Sequence, residues 1–197
     1  MNICVYGASS PDIDTAYFEA GETLGRAMAK RGHALVFGAG DNGLMGAVAR
    51  GVTAGKGRVI GIVPSFFNVD GILYDKCDEL IRTETMRERK ALMEARSDAF
   101  VMTPGGIGTF EEFFEILTLK QLARHTKAIA VLNTRGYFDH MLAMMDKAIA
   151  DGFVTASVGD LYFVTEDPDK ALDYLETYVP VEVAPSVYKK GVSDGTK

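Results

Sequence analysis

The stretch Ala99-Phe100-Val101-Met102-Thr103-Pro104-Gly105-Gly106-Ile107-Gly108-Thr109-Phe110-Glu111-Glu112 decides the fold. Ala99–Met102 is a short apolar run of the kind that forms a buried strand. Pro104 and the glycines end it. From Phe110 to about Arg124 the residues Phe110, Phe113, Phe114 and Leu117 mark one apolar face of a helix. Strand, glycine turn and helix make half of a βαβ unit, and the same alternation runs outward in both directions. Towards the N-terminus the strands are Ile3–Tyr6, Ala34–Phe37 and Val59–Val63. Helices are predicted over Asp12–Lys30, from Gly43 to about Ala54, and over Thr85–Asp98, with Ser65–Glu79 irregular. Towards the C-terminus come strand Ala128–Leu132, helix Tyr137–Ala150, strand Leu161–Val164 and helix Asp169–Tyr178. Unbroken apolar strands alternating with helices predict an α/β fold, a doubly wound parallel sheet with helices on both faces. Residues 1–183 read as a single α/β domain and 184–197 as a flexible polar tail.

The 197 residues, 47% apolar and 24% charged, suit one globular domain and exclude a disordered or collagen-like chain. The net charge of −6 argues against nucleic-acid polymers, whose backbone needs a positive surface. A small anionic ligand stays compatible with it. Cys4 and Cys77 show no paired or metal-like spacing. No run approaches the roughly 20 apolar residues of a membrane helix. Met1–Tyr6 lacks the basic start of a signal peptide. A soluble cytoplasmic protein without membrane contact is expected.

In open parallel sheets the ligand lies beyond the carboxyl ends of the strands. Here those ends carry Gly7–Ser10, Gly38–Gly43 and Gly105–Thr109, which together suggest a nucleotide pocket. Gly38-x-Gly40-x-x-Gly43 matches the dinucleotide fingerprint as a string, but the acid expected about 20 residues later is missing. It reads as a tight turn or as the floor of a mononucleotide site. Gly105, Gly106 and Gly108 would let backbone N–H groups face an anion at a helix start, holding a phosphate without a Walker lysine. Thr109-x-x-Glu112 also fits a capping box, in which Glu112 merely satisfies the Thr109 backbone. A second such box is Thr85-x-x-Glu88. Arg89, on one face with Met86 and Met93, either snorkels to the edge or meets a buried partner. His33, His125 and His140 show no ligand spacing, so no metal is expected.

Met86-Arg87-Glu88-Arg89-Lys90 followed by Pro104-Gly105-Gly106-Ile107-Gly108-Thr109-Phe110-Glu111-Glu112 resembles the LOG ("Lonely Guy") family of cytokinin riboside 5'-monophosphate phosphoribohydrolases. The likeness extends through Gly7-Ala8-Ser9-Ser10, Gly43-Leu44-Met45-Gly46 and Asn133-x-x-Gly136-Tyr137-Phe138, most of the chain. Members are often labelled lysine decarboxylases, a name the motif does not support. The resemblance implies a Rossmann-like homodimer that cleaves the N-glycosidic bond of adenine-type nucleoside 5'-monophosphates, with no cofactor. It implies Arg89 and Glu112 as the catalytic pair and Gly105, Gly106, Gly108 and Thr109 as the phosphate loop. Lys90, Glu111 and Thr118 match further substrate positions, and Ser9, Gly40 and Met86 belong to the same substrate-binding set. Arg87 replaces the usual histidine, Ala39 a glycine, and Ala128 stands where proline is common. An acid of the preceding loop falls to Asp70, Asp75 or Asp78. Glu112 would stabilise the sugar cation, with Arg89 fixing either the carboxylate or the phosphate. The alternatives are a phosphorylated-ligand carrier similar to molybdenum-cofactor carrier proteins, and a pyridoxal-phosphate decarboxylase. The latter needs a Schiff-base lysine, and Lys90 is the only one within the paired motifs.

Overall fold

In the computed structural model, which describes residues 1–67 and 71–180, β1 (Asn2–Tyr6), β2 (Ala34–Phe37), β3 (Val59–Pro64), β4 (Glu79–Thr83), β5 (Ala99–Met102), β6 (Ala128–Leu132) and β7 (Phe163–Thr165) form one sheet. Its order is β4-β3-β2-β1-β5-β6-β7, and every pairing is parallel. The helices are α1 (Thr15–Lys30), α2 (Gly43–Ala54), α3 (Met86–Ala95), α4 (Ile107–Gln121), α5 (Asp139–Ala150) and α6 (Pro168–Thr177). Short 3-10 turns occupy Thr134–Gly136 and Ala156–Leu161.

Side chains on a strand alternate between faces, and here the alternation builds two cores. Ile3, Val5, Leu35 and Phe37 pack with Leu24, Met28, Val48, Val52, Leu172 and Leu175 of α1, α2 and α6. Cys4, Tyr6, Val36, Phe100 and Met102 pack with Met93, Phe113, Ile116, Leu117 and Met145 of α3, α4 and α5. This is the doubly wound arrangement. Helices α1 and α2 approach closely enough that a Cβ on Gly25 would sit 2.2 Å from the Val48 carbonyl oxygen. Among the described residues no helix is long and apolar enough to cross a membrane.

Three features depart from the sequence reading. Strand β4 lies where only a loop leading to α3 was expected, because Glu79 and Arg82 break its apolar run on the sheet's edge. Helix α4 starts at Ile107, three residues before Phe110, and ends at Gln121. Residues Ala156–Leu161 wind as a 3-10 turn, so β7 begins only at Phe163. On α4 the apolar residues Phe113, Ile116 and Leu117 are buried in the chain's own core, and Leu122 just beyond its end is exposed. The boundary at 183 and the tail 184–197 lie outside the described residues.

The chain winds from β1 through β4 to one side and resumes at β5 on the other side of β1. The strand order therefore reverses between β1 and β5, and their carboxyl ends open the crevice where such sheets bind ligands.

Candidate active site

The two strand ends flanking the crevice are laced together. Thr103 donates to the Tyr6 carbonyl through both its amide and its hydroxyl, each at 2.8 Å, and the Ala8 amide donates to the Pro104 carbonyl at 3.0 Å. Helix α4 rises directly from this seam. Its N-cap is Gly106, no side chain caps it, and its opening bond runs from the Phe110 amide to the Gly106 carbonyl at 3.1 Å. The amides of Gly106, Ile107, Gly108 and Thr109 have no acceptor among the described residues. Unpaired amides and the positive end of the helix dipole together suit an anion.

The glycines divide by cause. A Cβ on Gly105 would lie 2.1 Å from Thr109 Oγ1 and 2.8 Å from the Ala8 amide nitrogen, so packing demands glycine there. At Gly106 and Gly108 a Cβ would meet nothing within 4 Å. Their missing side chains leave open room above the helix start.

Because α4 begins at Ile107, Thr109 sits inside its first turn and Glu112 in its second. The capping-box reading of Thr109 and Glu112 therefore fails. Glu112 Oε1 accepts instead from Arg89 Nη1 at 3.0 Å, and Arg89 Nε donates to the Ile62 carbonyl at 3.2 Å. Arg89 is only 8% exposed and Glu112 9%, so the arginine has a partner and does not snorkel. The box at Thr85 and Glu88, by contrast, is present and starts α3, setting Arg89 on the face turned to the sheet.

Burial raises the Glu112 pKa above the ordinary carboxylate value, and the adjacent Arg89 charge holds that rise back. Below the pair lie Cys4, whose thiol burial pushes up to about 12, and Tyr6, whose hydroxyl burial also pushes up, so both stay neutral.

The second glycine loop seats the arginine. A Cβ on Gly38 would lie 2.0 Å from Arg89 Nη2, and one on Gly43, at φ +64°, would lie 2.3 Å from the Ala8 carbonyl oxygen. The fingerprint string thus serves as packing for a guanidinium and for the β1 loop. Gly40 forms an antiparallel bridge with Leu73, and Ser9 and Met86 are exposed at the crevice rim, on the β1 loop and at the start of α3.

Lys90 and Glu111 pair with each other, and Lys90 Nζ also reaches Glu115 at 2.8 Å, tying α3 to α4. Burial lowers the Lys90 pKa, but the two carboxylates outweigh it and the net shift is upward. Thr118 lies about 9 Å of helix rise beyond Glu112, on the exposed stripe of Glu111 and Glu115, and within one chain it does not join the Arg89–Glu112 pair. Asp78 accepts from the Val59 amide at 2.8 Å, at the amino end of the sheet and away from the crevice. Asp75 is exposed on the limb leading there, and Asp70 lies outside the described residues. Neither Asp75 nor Asp78 reaches the pair.

Among the described residues no cluster of three or more His, Cys, Asp or Glu could hold a metal. Sequence reasoning missed the Ile62 carbonyl, the role of Gly38 and the Tyr137 hydroxyl, which donates to the Gly105 carbonyl at 2.7 Å. Tyr137 had left a trace in the Asn133-x-x-Gly136-Tyr137-Phe138 string and Gly38 in the Gly38-x-Gly40-x-x-Gly43 string, neither with its role.

Comparison with known proteins now bears on this geometry. A family model described as "Possible lysine decarboxylase" matches residues 45–175. A rice (Oryza sativa subsp. japonica) relative, "Probable cytokinin riboside 5'-monophosphate phosphoribohydrolase LOGL9", is 41% identical over 91% of this chain and 79% of its own length. The chain belongs to the LOG family. An Arabidopsis thaliana member, cytokinin riboside 5'-monophosphate phosphoribohydrolase LOG2, is 38% identical over 90% of this chain and 84% of its own length. Among solved structures, the molybdenum cofactor binding protein of Rippkaea orientalis superposes with a TM-score of 0.68 at 21% identity, covering 89% of this chain and 95% of that one. The molybdenum cofactor carrier protein of Chlamydomonas reinhardtii gives 0.65, also at 21% identity, with the same coverage. At that identity the likeness to this LOG-family chain is one of fold.

Proposed function

We propose that this protein hydrolyses the N-glycosidic bond of adenine-type nucleoside 5'-monophosphates, the cytokinin ribotides among them, to free base and ribose 5-phosphate. The observation that carries the reading is the buried Arg89–Glu112 pair standing one helical turn behind an uncapped, glycine-lined helix start. The 5'-phosphate takes the open amides of Gly106–Thr109. Helical side chains lean towards the N-terminus, so the Glu112 carboxylate points back along α4 to the ribose. As the C1'–N bond breaks, its electron pair leaves with the base and positive charge builds on the sugar. Glu112 stabilises that charge and guides a water to C1'. The water's proton passes to the carboxylate, and the leaving base takes up a proton from solvent. Of the two roles open to Arg89, the 3.0 Å contact favours fixing the carboxylate. Binding energy from the phosphate positions the reacting bond.

Product analysis tests this. AMP and an N6-prenylated AMP, incubated separately with the protein, should each release free base and ribose 5-phosphate. Glu112→Gln should slow turnover about 100-fold or more, the scale of a lost charge-stabilising group. Tight nucleotide binding without any free base would instead favour the carrier reading, which the fold of the cofactor-binding proteins keeps in view. The decarboxylase reading fares poorly, because Lys90 is held charged between two carboxylates whereas a Schiff-base lysine must lose its proton.

The same proposal includes a homodimer in the cytoplasm, acting on small nucleotides and on neither nucleic acid nor membrane. Its support is the exposed Met144, Leu122 and Phe153, the free thiols Cys4 and Cys77, and the net charge of −6.

A further inference from the structure

The turn after β6, Asn133 to Phe138, plays no part in the mechanism above, yet it is built with unusual care. Asn133 is buried, its side-chain oxygen accepting from the Phe138 amide at 2.7 Å and its side-chain nitrogen donating to Asp139 Oδ1 at 2.8 Å. Its own amide donates to the Thr165 carbonyl at 2.7 Å. Arg135 and Gly136 both adopt left-handed backbone, at φ +57° and +66°. For the arginine that conformation is strained and persists only because its surroundings fix it.

Two side chains leave this turn, one for each wall of the crevice. Arg135 Nη1 pairs with Asp14 Oδ2 at 2.7 Å, and Asp14 caps α1 at the end of the β1 loop. The Tyr137 hydroxyl donates to the Gly105 carbonyl at 2.7 Å, across 32 residues of chain. Its ring is held edge-on by Tyr17 at 6.0 Å and Phe138 at 4.9 Å.

The peptide plane gives that second contact a consequence. In a trans peptide the carbonyl of Gly105 and the N–H of Gly106 point in opposite directions. A bond that holds the carbonyl towards Tyr137 holds the Gly106 N–H on the far side. Between two glycines the unit turns over easily, for no Cβ opposes it. A flipped unit would aim a carbonyl dipole where a phosphate must sit.

We propose that Tyr137 is a positioning residue, its hydroxyl locking the Gly105–Gly106 peptide in the orientation that accepts a phosphoryl group. The proposal rests on the phosphate-cradle reading above. Tyr137→Phe, which keeps the ring and removes only the hydroxyl, tests it in the full-length protein. Calorimetry with ribose 5-phosphate and with adenine is compared with KM and kcat for AMP.

Ribose 5-phosphate affinity should fall about fivefold and KM for AMP should rise as much, the effect of one hydrogen bond. Adenine affinity and kcat should stay near wild type, and Tm should fall by no more than the few degrees that one lost hydrogen bond costs. Tyr137→Leu should show the same binding loss with a lower Tm, because it also loses the ring contacts. Unchanged ribose 5-phosphate affinity in the Phe variant overturns the proposal and leaves the hydrolase reading standing. Equal losses for adenine and ribose 5-phosphate in the Phe variant make the hydroxyl merely structural and overturn it too. A wild-type protein that binds no ribose 5-phosphate and frees no base defeats both.

Discussion

At Gly106 and Gly108 a methyl group would touch no protein atom within 4 Å, and neither residue has a positive φ. Nothing in the folded chain demands glycine there, which fits the proposed phosphate cradle. Gly108→Ala should therefore separate stability from function. Alanine in the first turn of α4 should stabilise the protein by about 0.5–1 kcal/mol while raising KM for AMP at least about tenfold, on the scale of a lost charged hydrogen bond. Thermal melts and steady-state kinetics read the two effects, and an unchanged KM would show that the cradle holds no phosphate. Glu112 carries a second consequence. Its burial lifts its pKa above 4.5, and Arg89 restrains the lift. In the proposed mechanism the ionised carboxylate acts, so kcat/KM should fall as pH drops through a value above 4.5. In Arg89→Gln the restraint is gone, so the residual activity should show that limb at higher pH. The substrate phosphate titrates alike for both enzymes, so identical limbs would sever the pair from the chemistry. The spacing from Arg89 to Glu112 was legible in the sequence. Their meeting was not, because Thr109-x-x-Glu112 also spells a helix cap and only the true start of α4 at Ile107 decides between them.

Helix α4 does its second job at the other end. Lys120 is 1% exposed, donates to the Leu161 carbonyl at 2.7 Å, and lies 4.5 Å over the Tyr178 ring. Burial lowers its pKa from 10.5 to about 8, which costs the charged form about 3 kcal/mol. Below pH 8 the folded state bears that cost in full. Between pH 8 and 10.5 the unfolded chain binds the proton and the folded one does not, so stability rises with pH. Lys120→Met should abolish this rise: across pH 8 to 10 the wild type should gain Tm relative to the variant, and parallel curves would refute the burial account. Nothing in the local sequence marks Lys120 as buried: the packing of Ala156–Leu161 and Tyr178 encloses it. Strand β4 escaped notice for the converse reason. An edge strand with one wet face needs no apolar run, so Glu79 and Arg82 disguised it. Central strands, buried on both faces, had no such disguise.

On the scale of the whole molecule, alternating strands and helices announce a doubly wound sheet, and the reversal between β1 and β5 follows from the chain direction once the order is known. Local periodicity cannot supply that order. It is set by which apolar faces find each other, and so the sequence pointed to three glycine loops without saying that one of them seats a guanidinium. The crevice joins the uncapped, glycine-lined start of α4, the proposed phosphate cradle, to an acid whose position is fixed from α3 across the sheet's end. If the cradle grips the phosphoryl end while Glu112 faces the sugar, a substrate without phosphate should dock badly and react slowly. The direct measurement is kcat/KM for AMP beside adenosine. The account predicts rapid release of adenine from the monophosphate and at least about 100-fold less from the nucleoside, the scale of lost charge-assisted anchoring. Equal turnover of both would contradict it.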